Sequence, residues 1–407
     1  MDQSKNSKQL LDELVAKHNQ DAIRAKEEGR LVCWSTSVAP QELLETMDIT
    51  TVYPENHAAL VGAKKQSMDY IEKAESRGYS MDTCSYARVN LGYAEVGYSA
   101  AGNIPAPDLL FCCTNICNTV IKWYENLAHI YKVPLIMFDA PFCYDTGVNE
   151  RSVQYMRKQI VSAIKKLEEI TGQRFDNDKF HEVMDNSCET AKWWAQACSY
   201  GKCTPSPLNG FDMFNYMALV VCMRGKKETA ELFRLWAAEL AEKAADRLGP
   251  WKDQSENYRV FWDGIACWPY LSSTYKILKK NGINVVASGY PKTWSIEYES
   301  GDINGMARAY AQLRGNGNME MAMNEFTTAA RDYNLDGVIF HSNRSCKMLD
   351  LRQYELMRRF YKKTGVPIVI FDGDQTDPRN FSAAQFETRI QSLGEMMAER
   401  KEGIHRV

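Results

Sequence analysis

Two cysteines, Cys117 and Cys346, stand at the same point of two segments written to one plan. The first, Asp108 to Asp139, reads DLLFCCTNICNTVIKWYENLAHIYKVPLIMFD. The second, Asp336 to Asp372, reads DGVIFHSNRSCKMLDLRQYELMRRFYKKTGVPIVIFD. Each has an apolar strand, a polar turn, a cysteine, a helix containing Tyr-Glu, then Val-Pro and a second strand ending in Phe-Asp. Loops leaving the carboxyl ends of parallel strands are where open α/β sheets bind ligands. Matched thiols on two such loops point to one metal centre shared between two halves. A third cysteine, Cys84, follows Gly78 and the helix-starting run Ser80-Met81-Asp82-Thr83. All three thus fall at or beside a helix start, where backbone N–H groups and the dipole stabilise a thiolate. Thiolates are the ligands of iron–sulfur clusters. The plain alternative for each is a packing cysteine. Three thiolates on a 4Fe–4S cluster leave one iron open, a Lewis acid as well as an electron carrier.

These loops require a framework of alternating strands and helices. The repeat extends upstream: RLVCWSTSVAP (Arg30 to Pro40) matches RVFWDGIACWP (Arg259 to Pro269). Each is followed by a helix and another strand, ITTVYP to Pro54 and INVVASGYP to Pro291. The pattern predicts an α/β fold of two repeated, doubly wound parallel-sheet units, Rossmann- or flavodoxin-like, at residues 30–150 and 255–407. Residues 151–254 read as a helical segment. There Val153, Met156, Ile160, Ile164, Leu167 and Ile170 form the stripe of an amphipathic helix, with further helices at Phe180–Tyr200 and Glu228–Leu248. Residues 1–29 read as an N-terminal helix packing on that layer.

Composition narrows the class. The 407 residues carry a net charge of −3 with 25% charged residues, which gives no nucleic-acid footprint. No apolar run approaches the roughly 20 residues needed to span a bilayer, and the polar N-terminus lacks a signal-peptide core. A cytoplasmic protein is expected. Twelve cysteines without CxxC or structural-zinc spacing read mostly as core residues. Cys33, Cys112 and Cys113 lie in strand-like runs, Cys188, Cys198, Cys203 and Cys222 in a helical stretch, and Cys267 has no assigned role.

The segments CCTNICNTVIKWYEN, HSNRSCK, FDGDQTDPRNF, CWPY and YPENHAA resemble those of the 2-hydroxyacyl-CoA dehydratases of anaerobic, amino-acid-fermenting bacteria. The likeness spans nearly the whole chain and points to the α-type subunit. It implies a heterodimer with a related β-type subunit, each subunit holding a 4Fe–4S cluster. It also implies a separate ATP-hydrolysing iron–sulfur activator that delivers one electron. In the α-type subunit three cysteines hold the cluster, at positions matching Cys84, Cys117 and Cys346, and the fourth iron is open to water or substrate. The reaction so implied removes water from an (R)-2-hydroxyacyl-CoA to give an (E)-2-enoyl-CoA. Its β-proton is unactivated, and acid–base catalysis, typically worth ~10²–10⁴-fold, does not close that gap. One-electron reduction of the thioester to a ketyl expels the hydroxyl and makes the β-proton acidic. The expected substrate is 2-hydroxyisocaproyl-CoA from leucine. Phenyllactyl-CoA and 2-hydroxyglutaryl-CoA are alternatives, as are a benzoyl-CoA-reductase-type subunit, an electron-relay subunit and a zinc protein.

Two further residues take roles from their positions beside these loops. Ser37, in the turn after RLVCW, is a donor to an iron-bound water or to the carbonyl oxygen; the plain alternative is a turn serine. Glu55, after ITTVYP, is the candidate base for the β-proton; the alternative is a solvated or capping carboxylate. His341 reads as a core histidine ahead of a cluster-side donor, and Arg344 as an ion-pair partner ahead of a cluster or CoA contact. Arg314-Gly315-Asn316-Gly317 reads as a turn, without the glycine spacing of a nucleotide loop, so ATP is not expected to bind.

Overall fold

β1 (Val32–Ser35), β2 (Thr50–Val52), β3 (Leu109–Cys113) and β4 (Leu135–Phe138) form one four-stranded sheet in the order β2-β1-β3-β4. β5 (Tyr258–Asp263), β6 (Ile283–Ser288), β7 (Gly337–Asn343) and β8 (Ile368–Gly373) form a second in the order β6-β5-β7-β8. Every pairing is parallel. The computed structural model describes residues 5–145 and 147–404. The two sheets therefore have one topology, as the repeat predicts. A shared device fixes the register of each central pair. Asp108, just before β3, accepts a hydrogen bond from the Val32 amide at 2.9 Å, and Asp336, just before β7, accepts one from the Arg259 amide at 2.9 Å.

Both sheets are covered on both faces, as parallel sheets must be. Side chains alternate along each strand. In β1, Cys33 points into the large core shared with the helical layer, and Val32 and Trp34 point to the opposite face. In β7, Ile339 faces the shared core while Val338 and Phe340 join a separate cluster.

The helical layer comprises Glu150–Thr171, Asn177–Ser199, Gly210–Cys222 and Lys227–Ala245. In the first, Asn149 caps the N-terminus, Gly172 ends the helix in the left-handed region, and Val153, Met156, Ile160 and Leu167 are buried while Ile164 and Ile170 are half-buried. Cys203 lies in a turn past a 3-10 helix (Tyr200–Lys202), not in a helix as expected from the sequence. The helix Ser7–Glu27 packs on Gly210–Cys222 and Lys227–Ala245, and the Ser7 amide donates to Glu239 at 2.7 Å. No helix among the described residues is long and apolar enough to cross a membrane.

In an order such as β2-β1-β3-β4 the chain reverses direction between β1 and β3, so the loops after these strands splay apart and open a crevice. Ser37 follows β1 and Cys117 follows β3. In the second sheet the equivalent crevice lies between β5 and β7, and Cys346 follows β7.

Candidate active site

The three cysteines come from three helix starts. Cys84 is the N-cap of Ser85–Val96, Cys346 is the N-cap of Lys347–Thr364, and Cys117 precedes Asn118, the N-cap of Thr119–Tyr131. The Ser85–Val96 helix is seated closely on Met68–Ser76: a Cβ at Gly92 would lie 2.0 Å from the Tyr70 carbonyl oxygen, so only glycine permits this approach. Side chains of Cys84, Cys117 and Cys346 line one cavity of about 80 Å³, together with Ser37 and Glu55. The sequence-predicted residues thus line one cavity. All twelve cysteines are free thiols; these three are half-buried, whereas Cys33, Cys112, Cys113, Cys143, Cys198, Cys222 and Cys267 are buried.

Asp374 ties two of the cysteine loops together. It accepts from the Ser85 hydroxyl at 2.5 Å and from the Ser345 amide at 3.2 Å, and the Ser85 amide donates to Ser345 Oγ at 3.0 Å. The next residue, Gln375, donates from Nε2 to Cys84 Sγ at 3.3 Å. This explains why the FDGDQTD segment belongs with the cysteines: it is the brace between them.

The electrostatics differ from the expectation of helix-start thiolates. Burial pushes all three thiols up, Cys346 to about 12, and neighbouring thiols add to the shift at Cys84 and Cys346. The helix-start amides of Ala87, Val120, Thr119 and Leu349 pull the other way but are outweighed. At these three buried positions desolvation of the thiolate outweighs what the helix termini return. Among the described residues no group of three or more His, Cys, Asp or Glu side chains is close enough to hold a single metal ion. Ligands of a four-iron cluster bind separate irons and need not converge on one point, as ligands of a lone zinc must. The donor set fits such a cluster: three soft sulfurs with a hydrogen bond already directed at one of them, the kind of contact that tunes a cluster's potential.

Glu55 is buried in the first turn of the helix Pro54–Ala63, where Pro54 occupies the N1 position. Its carboxylate accepts from the Ser37 amide at 2.9 Å and from Ser37 Oγ at 3.1 Å. Burial pushes its pKa up to about 7, and the Ser37 bonds pull in the opposite direction. In this arrangement the Ser37 hydroxyl is a partner of Glu55. The Ser37 carbonyl is held by the Trp294 indole N–H at 3.0 Å. A second cavity of about 220 Å³ shares Ser37, Glu55, Tyr86, Tyr290 and Trp294 with the first and continues toward Phe214 and Met217 of the helical layer.

Sequence reasoning passed over Tyr86, Tyr290, Trp294 and Gln375, because aromatic and amide residues are common in cores and their convergence is tertiary. Arg314, read as part of a turn, lies in a 3-10 helix (Arg314–Asn316) on the cavity wall, paired to Asp263 at 2.5 Å and Glu325 at 2.6 Å. His341 is a core histidine: buried, stacked on Phe371 at 4.8 Å, with Nδ1 2.6 Å from the Ile265 carbonyl. Arg344 makes no ion pair among the described residues, contrary to the ion-pair expectation; its amide donates to the Gly373 carbonyl at 3.0 Å.

Two matched parallel-sheet units present three thiols and a buried carboxylate to one enclosed space, which defines an α/β protein with a thiol-lined site. The family model for the 2-hydroxyglutaryl-CoA dehydratase D-component matches residues 36–397, and the chain belongs to that family. It is 47% identical to the (R)-2-hydroxyisocaproyl-CoA dehydratase alpha subunit of Clostridioides difficile, over 98% of each chain. It is 44% identical to the (R)-phenyllactyl-CoA dehydratase alpha subunit of Clostridium sporogenes, over 98% of this chain and 97% of the relative. It is 41% identical to the lactoyl-CoA dehydratase subunit alpha of Anaerotignum propionicum, over 97% of each. The relatives are named CoA dehydratases, a hydro-lyase activity, and an alpha subunit implies a partner subunit.

Proposed function

We propose that this chain is the catalytic subunit of an oxygen-sensitive (R)-2-hydroxyacyl-CoA dehydratase that forms (E)-2-enoyl-CoA in amino-acid fermentation. The reading is supported by membership of the dehydratase family and by whole-length similarity to three alpha subunits. One observation carries the role of the site: Glu55, with a pKa pushed to about 7, opens into the same cavity as Cys84, Cys117 and Cys346. In this reading the three cysteines hold one 4Fe–4S cluster with one open iron. When bound, that cluster supplies a single electron and a Lewis-acidic position to the thioester.

Glu55 takes the β-proton. A general base works best with a pKa near the operating pH, and burial supplies the shift. Ser37 fixes the direction of the carboxylate through two hydrogen bonds and leaves its remaining lone pairs for the substrate. The apolar second cavity, reaching Phe214 and Met217, suits a branched, leucine-derived acyl chain, so 2-hydroxyisocaproyl-CoA is the assigned substrate. The partners are a related β-type subunit and, transiently, an ATP-dependent iron–sulfur activator; the compartment is the cytoplasm. The proposed domain division is 1–29, 30–150, 151–254 and 255–407. An anaerobic assay with activator and catalytic amounts of reductant tests the function. Many turnovers of 2-hydroxyisocaproyl-CoA per electron support it, and a stoichiometric demand for reductant contradicts it.

A further inference from the structure

Tyr290 follows β6 and lines both cavities, as Glu55 and Ser37 do. Its ring stands edge-on to Trp294, with centroids 5.1 Å apart and planes at 81°. Trp294 in turn grips the Ser37 carbonyl. The phenol of Tyr290 is therefore placed by the same residue that places the partner of Glu55.

The hydrogen bonds reaching Tyr290 have a fixed direction. Trp268 Nε1, which can only donate, bonds to the Tyr86 hydroxyl at 2.5 Å. The Tyr86 hydroxyl also hydrogen-bonds that of Tyr290; having accepted from Trp268, it has its own O–H left to give and donates it there. The Tyr290 oxygen is thus already an acceptor, and its own proton remains for the cavity. Successive donors polarise one another, so the last O–H in the chain is a stronger donor than an isolated phenol.

We propose that Tyr290 is a further catalytic residue, donating a hydrogen bond to the thioester carbonyl oxygen of the bound acyl-CoA and supporting the negative charge that grows there. This rests on the acyl-CoA dehydratase reading above. The carbonyl is favoured over the departing hydroxyl because a departing hydroxide needs a whole proton. Giving it up would leave a phenolate in the same enclosed cavity as the Glu55 carboxylate. A donor that keeps its proton suits an oxygen that gains charge and later returns it. The repeat shows the specialisation. Tyr53-Pro54 is the counterpart of Tyr290-Pro291, but the Tyr53 hydroxyl is committed to Gln41 Oε1 at 3.0 Å in the buried core. The first half contributes the carboxylate after its proline, and the second half the phenol before its own.

The test uses the complex with its partner subunit, without activator, so that nothing turns over. A 2-enoyl-CoA carrying a ¹³C thioester carbonyl is bound, and its stretch is read by isotope-edited infrared spectroscopy. The wild type should show the band below its position in water. Tyr290→Phe should move it back up with iron content unchanged, and Tyr86→Phe should give an intermediate shift. With activator present, Tyr290→Phe should lower kcat by roughly 10²–10³-fold, the usual loss for one oxyanion donor, with KM changed far less. A band unmoved by Tyr290→Phe overturns the role of Tyr290 alone. Failure of the wild type to bind the acyl-CoA overturns both this role and the functional reading beneath it.

Discussion

The Ser85 amide donates to Ser345 Oγ at 3.0 Å, and these two residues adjoin Cys84 and Cys346. One hydrogen bond thus couples two cysteine loops that come from different halves of the repeat. Both serines are bound to Asp374, which is buried and also accepts from the amides of Thr376 and Asp377 at 3.0 Å each.

Asp374→Ala should therefore destabilise the chain and loosen the thiol site together. Four donors lose their acceptor, and buried unsatisfied donors cost about 1–3 kcal/mol each before relaxation. A fall in unfolding free energy of at least about 3 kcal/mol is expected, with lower iron retention on gel filtration. Stability and iron both at the wild-type level would show that the brace does not position the cysteines.

The rate of β-proton removal should rise with pH and level off above about 7, because Glu55 accepts a proton only when ionised and burial sets its pKa there. Ser37→Ala removes the hydroxyl that favours the charged carboxylate while the backbone bond remains. The rising limb should move to higher pH by roughly half to one unit, the equivalent of one hydrogen bond. A pH profile of β-hydrogen exchange checks this; a limb that stays in place or moves down contradicts it.

Glu55 should also cost the protein stability. Its folded pKa is raised above the unfolded value, so between about 4.5 and about 7 the native state binds more protons than the unfolded state, and stability falls as pH rises. Above that window the cost approaches about 3 kcal/mol, at 1.36 kcal/mol per unit of pKa shift. Glu55→Gln should raise the thermal midpoint at pH 8 and leave it little changed at pH 4, while abolishing exchange. A variant less stable at pH 8 would mean that the carboxylate is a structural anchor.

Much of the fold was legible because it is written twice. The strands around Cys117 and Cys346 alternate with helices, and the stripe from Val153 to Leu167 has the helical period; both are local signals that survive folding. Glu55 and Ser37 were visible only as residues at sheet-edge turns. Their mutual hydrogen bonds depend on β1 lying beside β2, which spacing alone does not specify. Tyr86, Tyr290, Trp268 and Trp294 were not legible, since each reads as another core aromatic. The helix-start amides at the thiols were legible because helix starts are local, whereas the desolvation that opposes them depends on how the two halves close over the cavity.

The central claim is that Cys84, Cys117 and Cys346 together hold one four-iron cluster. Iron and acid-labile sulfide, counted per chain after anaerobic reconstitution of the wild type and of the three single Cys→Ala variants, test it most directly. About four of each are predicted for the wild type, with a marked loss in every variant while the far-UV spectrum is kept. Wild-type iron and sulfide in all three variants would contradict it.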